Sequence, residues 1–423
     1  MGPFSILICV VCSIVGAGMG LFSGLVPGIH VNTLASVMLA SYPAMEELLS
    51  GIVGEGRAAA AVSCCIMSAA VVHSFVDFVP SVFIGAPDSD DHVAMLPGHR
   101  LLLQGRGMAA VRAAAVGSLV GASAAVTLAV PLQWVMMAGC EGFLDGLTPV
   151  VVTAAASIIL LGQFRKGCGI QGAVLFCLSG TLGVAVMDLG IPSDGILGDG
   201  TLLFPMLSGL FGMPVLLTSA SGGDIPRQSD ASDMSGVHAA GVKGVVMGCI
   251  AGWFPGITST VGASISACFM PENRPERFIS TVASIGTVTS ILSLVTLSVS
   301  GSGRSGICIV IGDMVGDSIG GFASETFLML ILTAGIASAL GYALTIASGK
   351  AMAGTVGRVD SRRLGLGVAA FTVVLVHLFT GPWGVAILAV STMIGFLAPA
   401  YGTDRTVLCG CLLLPVILMQ VGL

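Results

Sequence analysis

Apolar runs, each close to the roughly 20 residues that carry a helix across a bilayer, recur along this chain from Phe4 to Gly422. Of its 423 residues, 55% are hydrophobic and only 9% are charged. In hydrocarbon every backbone N–H and C=O must be satisfied within the protein, which restricts the spans to helices or a closed barrel. Barrel strands alternate apolar and polar residues, and these runs do not. The expected fold class is therefore an all-α polytopic membrane protein with about 11–14 membrane segments. The longest polar intervals, 87–107, 221–243 and 349–363, are too short to bury an independent core. A formal net charge of −6 without a basic cluster argues against nucleic acid as a partner. Met1–Ser5 carries no basic n-region, so the N-terminus reads as a retained membrane segment of a multi-pass protein.

One stretch occurs twice. Counting from Pro27 to Pro255 gives an offset of 228, and at that offset Gly16, Met19, Gly20, Gly24, Pro27, Gly28, Ile29, Ala35 and Ser36 all meet identical residues. Each copy lies in an apolar run, where a Pro lacks its N–H and a Gly loosens the helix, so the helix is expected to break there. The freed backbone groups must face protein or a water-filled cavity. The helix that restarts after each Pro-Gly presents its N-terminal N–H groups, the positive end of the dipole, to an anion. Polar side chains follow at once: His30, Asn32 and Thr33 in the first copy, Thr258, Ser259 and Thr260 in the second. A single Gly-Pro kink is common in membrane helices and reads as packing. Duplication in corresponding halves is instead the sequence pointer to a secondary transporter's central site. The candidate substrate-binding residues are Pro27, Gly28, Ile29, His30, Asn32, Thr33, Pro255, Gly256, Thr258, Ser259 and Thr260.

Loop charges set the expected organisation. Arg/Lys-bearing loops stay cytoplasmic, which puts 88–107, 165–167, 222–243 and 350–363 inside and 139–147 and 188–200 outside. With the first copy starting outside and the second inside, the parity is that of inverted repeats. The first repeat is expected over 1–220, a cytoplasmic linker over 221–243 and the second repeat over 244–423. The first broken element is expected to end at Pro43. Asp77–Ala86 is too short to cross and is read as re-entrant, and Ile307–Gly320 is its short counterpart.

Ionisable groups at membrane depth are costly and mark cavities or pairs. His73 and Asp77 are four apart and share one helix face. Asp88 follows the first expected re-entrant segment, and Asp313 and Asp317 lie in the second. These five are the candidate ion-coupling residues, whether by proton or by sodium, and a static hydrogen-bonded pair is the plain alternative for His73 and Asp77. Arg304, between apolar runs, either pairs with an anionic substrate or snorkels to the interface. Most of the 12 cysteines sit in apolar runs as packing groups. Cys9/Cys12 and Cys409/Cys411 lack a second ligand pair nearby, so no metal site and no cofactor is expected beyond H⁺ or Na⁺.

The residues Gly24, Pro27, Gly28, Ile29 and Gly252, Pro255, Gly256, Ile257 resemble the repeated signature of the large membrane subunit of tripartite tricarboxylate transporters, the TctA-like permeases. A further stretch is similar to a family segment in which a Pro-containing turn precedes a Gln-Gly-Arg loop: Gly85, Ala86, Pro87, Asp88 and Ser89, leading to Gln104, Gly105 and Arg106. His30 and Thr258 stand where the family often has Gly. The resemblance spans both halves. It implies an ion-driven importer of a small carboxylate in the cytoplasmic membrane, working with a small membrane subunit and a periplasmic solute-binding protein, and a homodimer is compatible with it.

Two other classes compete with this reading. A translocase of a polyprenyl-phosphate-type lipid carrier also uses duplicated Pro-Gly breaks, but it would need a wide lateral opening and clustered arginines, of which Arg304 is the one candidate. An intramembrane enzyme is disfavoured. Gly198-Asp199 and Gly312-Asp313 lack a Tyr-Asp partner, and neither a His-Glu-x-x-His motif nor a Gly-x-Ser-x-Gly elbow is present.

Overall fold

The structure, a computed structural model, describes residues 1–26, 31–54, 56–84, 92–196, 198–199, 201–219, 226–229, 233–254, 261–263, 265–266, 274–301, 303, 305–356, 361–420 and 422. Among these the chain is almost entirely helical, with one two-residue β-ladder pairing Asp194–Gly195 with Gly198–Asp199. Seven helical stretches among the described residues are long and apolar enough to cross a membrane. The chain is an all-α multi-pass membrane protein.

The helices that position the site are α1 (Pro3–Leu25), α2 (Val31–Val53), α3 (Ala58–Val76), α4 (Phe78–Ile84), α5 (His92–Leu103) and α6 (Gly107–Val135). After them come α7 (Glu141–Arg165), α8 (Gly169–Asp188), α9 (Leu203–Leu207), α10 (Met213–Ser219) and α11 (Val237–Trp253). The chain ends with α12 (Pro275–Ser300), α13 (Gly306–Val315), α14 (Glu325–Val356), α15 (Ser361–Ala400) and α16 (Gly410–Gln420). Between α6 and α7 a π-helical turn, Met136–Cys140, kinks the chain at Gly139, whose φ of 113° suits a residue without a side chain.

Small residues set the closest contacts. A Cβ built on Gly16, Gly20 or Gly24 of α1 would fall 2.7, 2.9 or 3.0 Å from the Cβ of Ser68, Val72 or Val76 of α3. In the second half, Gly244, Gly248 and Gly252 of α11 meet Ser284, Val288 and Leu292 of α12 at 2.7, 2.5 and 3.3 Å. The glycines correspond at the offset of 228. Their partners correspond at a second constant offset, 216, which takes Val72 to Val288. One helix pair is thus built twice, from glycine at every fourth position on one helix and a complementary ridge on the other, with the backbones close enough for van der Waals packing to hold them.

The contacts also give direction. α1 runs parallel to α3, and also to α14, because Ser5 donates to Glu325 (2.6 Å) and the Cys9 thiol to Met329 O (3.5 Å). α12 runs parallel to α11 and to α6, where Gly117 and Gly121 lie on Ser280 and Ser284 and Gln133 donates to Ser298 at 3.1 Å. α14 and α6 are antiparallel, since Gly335 approaches Val126 whereas Gly349 approaches Val111. Hence α1 and α3 run opposite to α11 and α12. The two groups are interlocked: α14, late in the chain, packs on α1 and α3, and α6, early in the chain, packs on α11 and α12.

Several expected boundaries are corrected. α2 runs through Pro43 to Val53 instead of ending there, and its far end comes back to the start of α1, where the Arg57 guanidinium lies 5.8 Å from the centre of the Phe4 ring. The first duplicated element is therefore a helical hairpin that enters and leaves at one end, and not a spanning helix with a break. The segment read as re-entrant, Asp77–Ala86, is not separate: Phe78–Ile84 prolongs α3 into one stretch, Ala58–Ile84. Pro80 removes one N–H, but Ser81 N–H still reaches Asp77 O at 3.1 Å and the helix carries on. The polar interval 87–107, expected as a loop, contains α5, with Pro97 inside it. α11 begins at Val237, inside the expected linker.

Candidate functional site

The first helix of each duplicated element ends in the same way. Val26 leaves α1 in an extended conformation (φ −98°, ψ 103°) with its N–H on Phe22 O at 3.1 Å. Phe254 leaves α11 alike (φ −84°, ψ 126°), with its N–H on Ile250 O at 3.1 Å. The two helix ends stop inside the protein. Gly24 is level with Val76, eight residues or about 12 Å before the end of α4, and Gly252 is level with Leu292, about 12 Å before the end of α12.

At the first helix end, the Ser23 hydroxyl and His73 Nδ1 are hydrogen-bonded at 2.9 Å. His73 is 4% exposed and Asp77 6%, and Asp77 N–H donates to His73 O at 2.9 Å, so the two stack on successive turns directly beside the approach to Pro27. At the second end the matching positions hold hydroxyls instead, Thr289 and Ser293. Thr289 and Thr296 donate to the carbonyls of Gly248 (3.5 Å) and Gly252 (3.2 Å). The packing frame is repeated, and the ionisable pair is confined to one copy.

α13 brings the halves together. Cys308 Sγ and Ser293 Oγ lie 3.0 Å apart, and Gly312 faces Leu297, so after Ser300 the chain doubles back and rises again alongside α12. Ser293 is seven residues before Ser300, and Ser305 lies a further turn below Cys308, so α13 starts about 15 Å inside the end of α12, half of the ~30 Å hydrocarbon thickness. Ser305 caps it by accepting Cys308 N–H at 3.3 Å. A Cβ on Gly306 would come within 2.8 Å of the Asn32 carboxamide carbon. Asn32, four residues past Gly28, thus packs on the N-terminus of a re-entrant helix from the other half, where backbone N–H groups favour negative charge.

Of the sequence candidates, His73, Asp77 and Asn32 lie at these helix ends. Asp313 and Asp317 are exposed, Asp313 about 10 Å along α13 from Gly306 and Asp317 in the turn beyond it, so the structure does not bring them to the other three. Pro27, Gly28, Ile29, His30, Asp88, Pro255, Gly256, Ile257, Thr258, Ser259, Thr260 and Arg304 lie outside the described residues, as does the side chain of Thr33. Sequence reasoning missed Ser23, Thr296, Ser305 and Gly306. The offset of 216 is the signal that relates Ser293 and Thr289 to Asp77 and His73, and it becomes visible only once the helix pairing is known.

At the end of the molecule where α6, α11 and α12 begin, the halves are tied by polar contacts. Arg106 pairs with Glu276 at 2.5 Å, their side chains 36% and 5% exposed. Gln228, in the expected linker, accepts Gly107 N–H at 2.8 Å and donates to Leu102 O at 3.2 Å, and Ser229 N–H donates to Gly105 O at 2.8 Å. Arg274 pairs with Asp233 at 2.5 Å. The Ser235 N–H and then the Arg274 guanidinium hold the Asp233 carboxyl below its ordinary value.

Residues 10–410 match the model of the tripartite tricarboxylate transporter TctA family, and the chain belongs to that family. It is 26% identical over 300 residues to an uncharacterized protein of Methanocaldococcus jannaschii, a match covering 70% of each chain. No solved structure matches it.

Proposed function

We propose that this member of a transporter family is a permease that moves a small carboxylate across the cytoplasmic membrane by alternating access, coupled to a proton or sodium gradient. The observation that carries the reading is the packing of Asn32 on the N-terminus of α13. A polar group that follows the first Pro-Gly stretch meets the N-terminus of a re-entrant helix of the other half. Residues 1–220 and 244–423 act as inverted repeats joined by the 221–243 linker, and the opposed directions of the two helix pairs support this. Their broken elements enter from opposite sides, so rocking or sliding of one group past the other opens the shared site to one side at a time. Asn32 and Thr33, with Thr258, Ser259 and Thr260, orient the carboxylate. His73, held by Ser23, and Asp77 supply the coupling group, because a protonation change or a bound cation beside a helix end ties substrate movement to a gradient. A small membrane subunit, a solute-binding protein and a second copy of the chain are the partners this reading implies.

The test is a ligand-stabilisation screen on the purified chain with sodium and pH varied independently, followed by uptake in proteoliposomes. Selective stabilisation by carboxylates, stronger with sodium or at lower pH, is expected. Stabilisation by none of them at any sodium concentration or pH removes the proposal.

A further inference from the structure

Beside the end of α11 lies a half-open cavity of about 200 Å³, walled by Leu132, Leu144, Ile250, Phe254, Leu292 and Val295 among others. None of the described residues lining it is charged, and the Thr296 hydroxyl on its wall is already donated to Gly252 O at 3.2 Å. Water held there would lack the 2–4 polar partners it needs, and an apolar cavity of ~150 Å³ is enough to bind benzene. Trp253 also lines this space and is 5% exposed, and its indole N–H is buried without an acceptor among the described residues. An unpaired buried donor costs free energy that an incoming acceptor would recover. One hydrocarbon-walled space and one unmatched donor therefore adjoin the residue that precedes Pro255.

We infer that the substrate is a monocarboxylate with an apolar tail of about phenyl size, the tail filling this cavity and the head accepting from the Trp253 N–H. The inference rests on the carboxylate reading above and narrows it: the described residues of the wall carry no cation, so a second or third carboxylate placed in this cavity would face hydrocarbon uncompensated. A lipid chain is the competing occupant, which native mass spectrometry distinguishes.

The test uses the full chain in nanodiscs and measures Kd by thermal stabilisation for acetate, butyrate, hexanoate, 3-phenylpropionate and citrate. Affinity should tighten about four-fold per added methylene, the ~0.8 kcal/mol of a buried CH₂, up to the size of the cavity. Leu144→Phe, on the half-buried wall, should flatten that series, weakening hexanoate and 3-phenylpropionate far more than acetate; Val295→Phe fills the same space from α12 if the first variant does not fold. Trp253→Phe should weaken every member about ten-fold or more. Stabilisation by citrate without hexanoate or 3-phenylpropionate would overturn the apolar-tail inference and leave the carboxylate reading standing. A series flat in the wild type overturns it as well, as does a phospholipid seen by native mass spectrometry and displaced by Leu144→Phe. Binding of no carboxylate defeats both.

Discussion

Replacing Arg106 with Gln leaves Glu276 as a 5%-exposed carboxylate without its guanidinium. A fully buried pair broken on one side loses about 3–5 kcal/mol, and a fully exposed one about 0–1. The Arg106 side chain is 36% exposed, so water shares in screening the pair, and a loss of about 1–3 kcal/mol is expected between those limits. Glu276 sits in the first turn of α12, where the helix dipole returns part of the loss. Glu276→Gln, which removes the buried charge itself, should cost less. The double variant should lie close to Glu276→Gln, giving a coupling energy of about 1–3 kcal/mol in a double-mutant cycle. The measurement is reversible unfolding in mixed micelles with a rising fraction of denaturing detergent, read by tryptophan fluorescence. An Arg106→Gln variant within about 0.5 kcal/mol of wild type, or strictly additive single changes, would refute the claim that this pair ties the α6 turn to α12.

The glycine frame predicts matched effects. Gly20→Val and Gly248→Val each drive a side chain into the facing helix, and both should destabilise by at least the ~1–3 kcal/mol of overpacking; a large loss in one and none in the other would break the correspondence of the two pairs. In proteoliposomes, Asp77→Asn should stop or uncouple transport, and if gradient dependence survives both Asp77→Asn and His73→Gln the pair is structural. Single cysteines at Glu47 and Arg274, in a background without other cysteines, should label from opposite sides with an impermeant thiol reagent, and labelling from one side would make the repeats parallel. For Asp233 the sign follows from its depressed folded value: its contribution is complete above the ordinary carboxylate pKa of 3.8 and disappears as pH falls through the folded value. Asp233→Asn should therefore change stability at pH 7 and leave it unchanged at pH values below the folded one; an equal effect at both would remove the pair from the account.

Much of this was legible because hydrophobic length and duplication are robust signals. The apolar runs required membrane helices, and the offset of 228 located two equivalent helix ends, which the structure gives the same extended exit at Val26 and Phe254. Direction was not legible. A Pro-Gly pair signals that a helix stops without saying whether the chain then continues across or turns back, and only the approach of Arg57 to Phe4 settles it for the first copy. The partner helices hid their kinship because packing conserves size and shape more than identity: Ser68 and Val72 recur as Ser284 and Val288, but Val76 becomes Leu292 and His73 becomes Thr289. Helix α5 was missed because Pro97 and Arg100 read as loop, although tertiary contacts such as Gly98 on Val82 hold it in place.

The interlocking of the two groups bears on how the protein is made. α1 and α3 enter the bilayer early, but the helix against which both pack, α14, starts at Glu325 and is among the last to leave the ribosome. Until then the apolar, small-residue flank of α3 has lipid or an insertion chaperone for a neighbour, and α6 in turn awaits α11 and α12. Neither half can mature ahead of the other. Co-expressed fragments split within the 221–243 linker should therefore be degraded when made singly and rescued when made together, and quality control in the membrane would sense the whole chain at one late step of assembly.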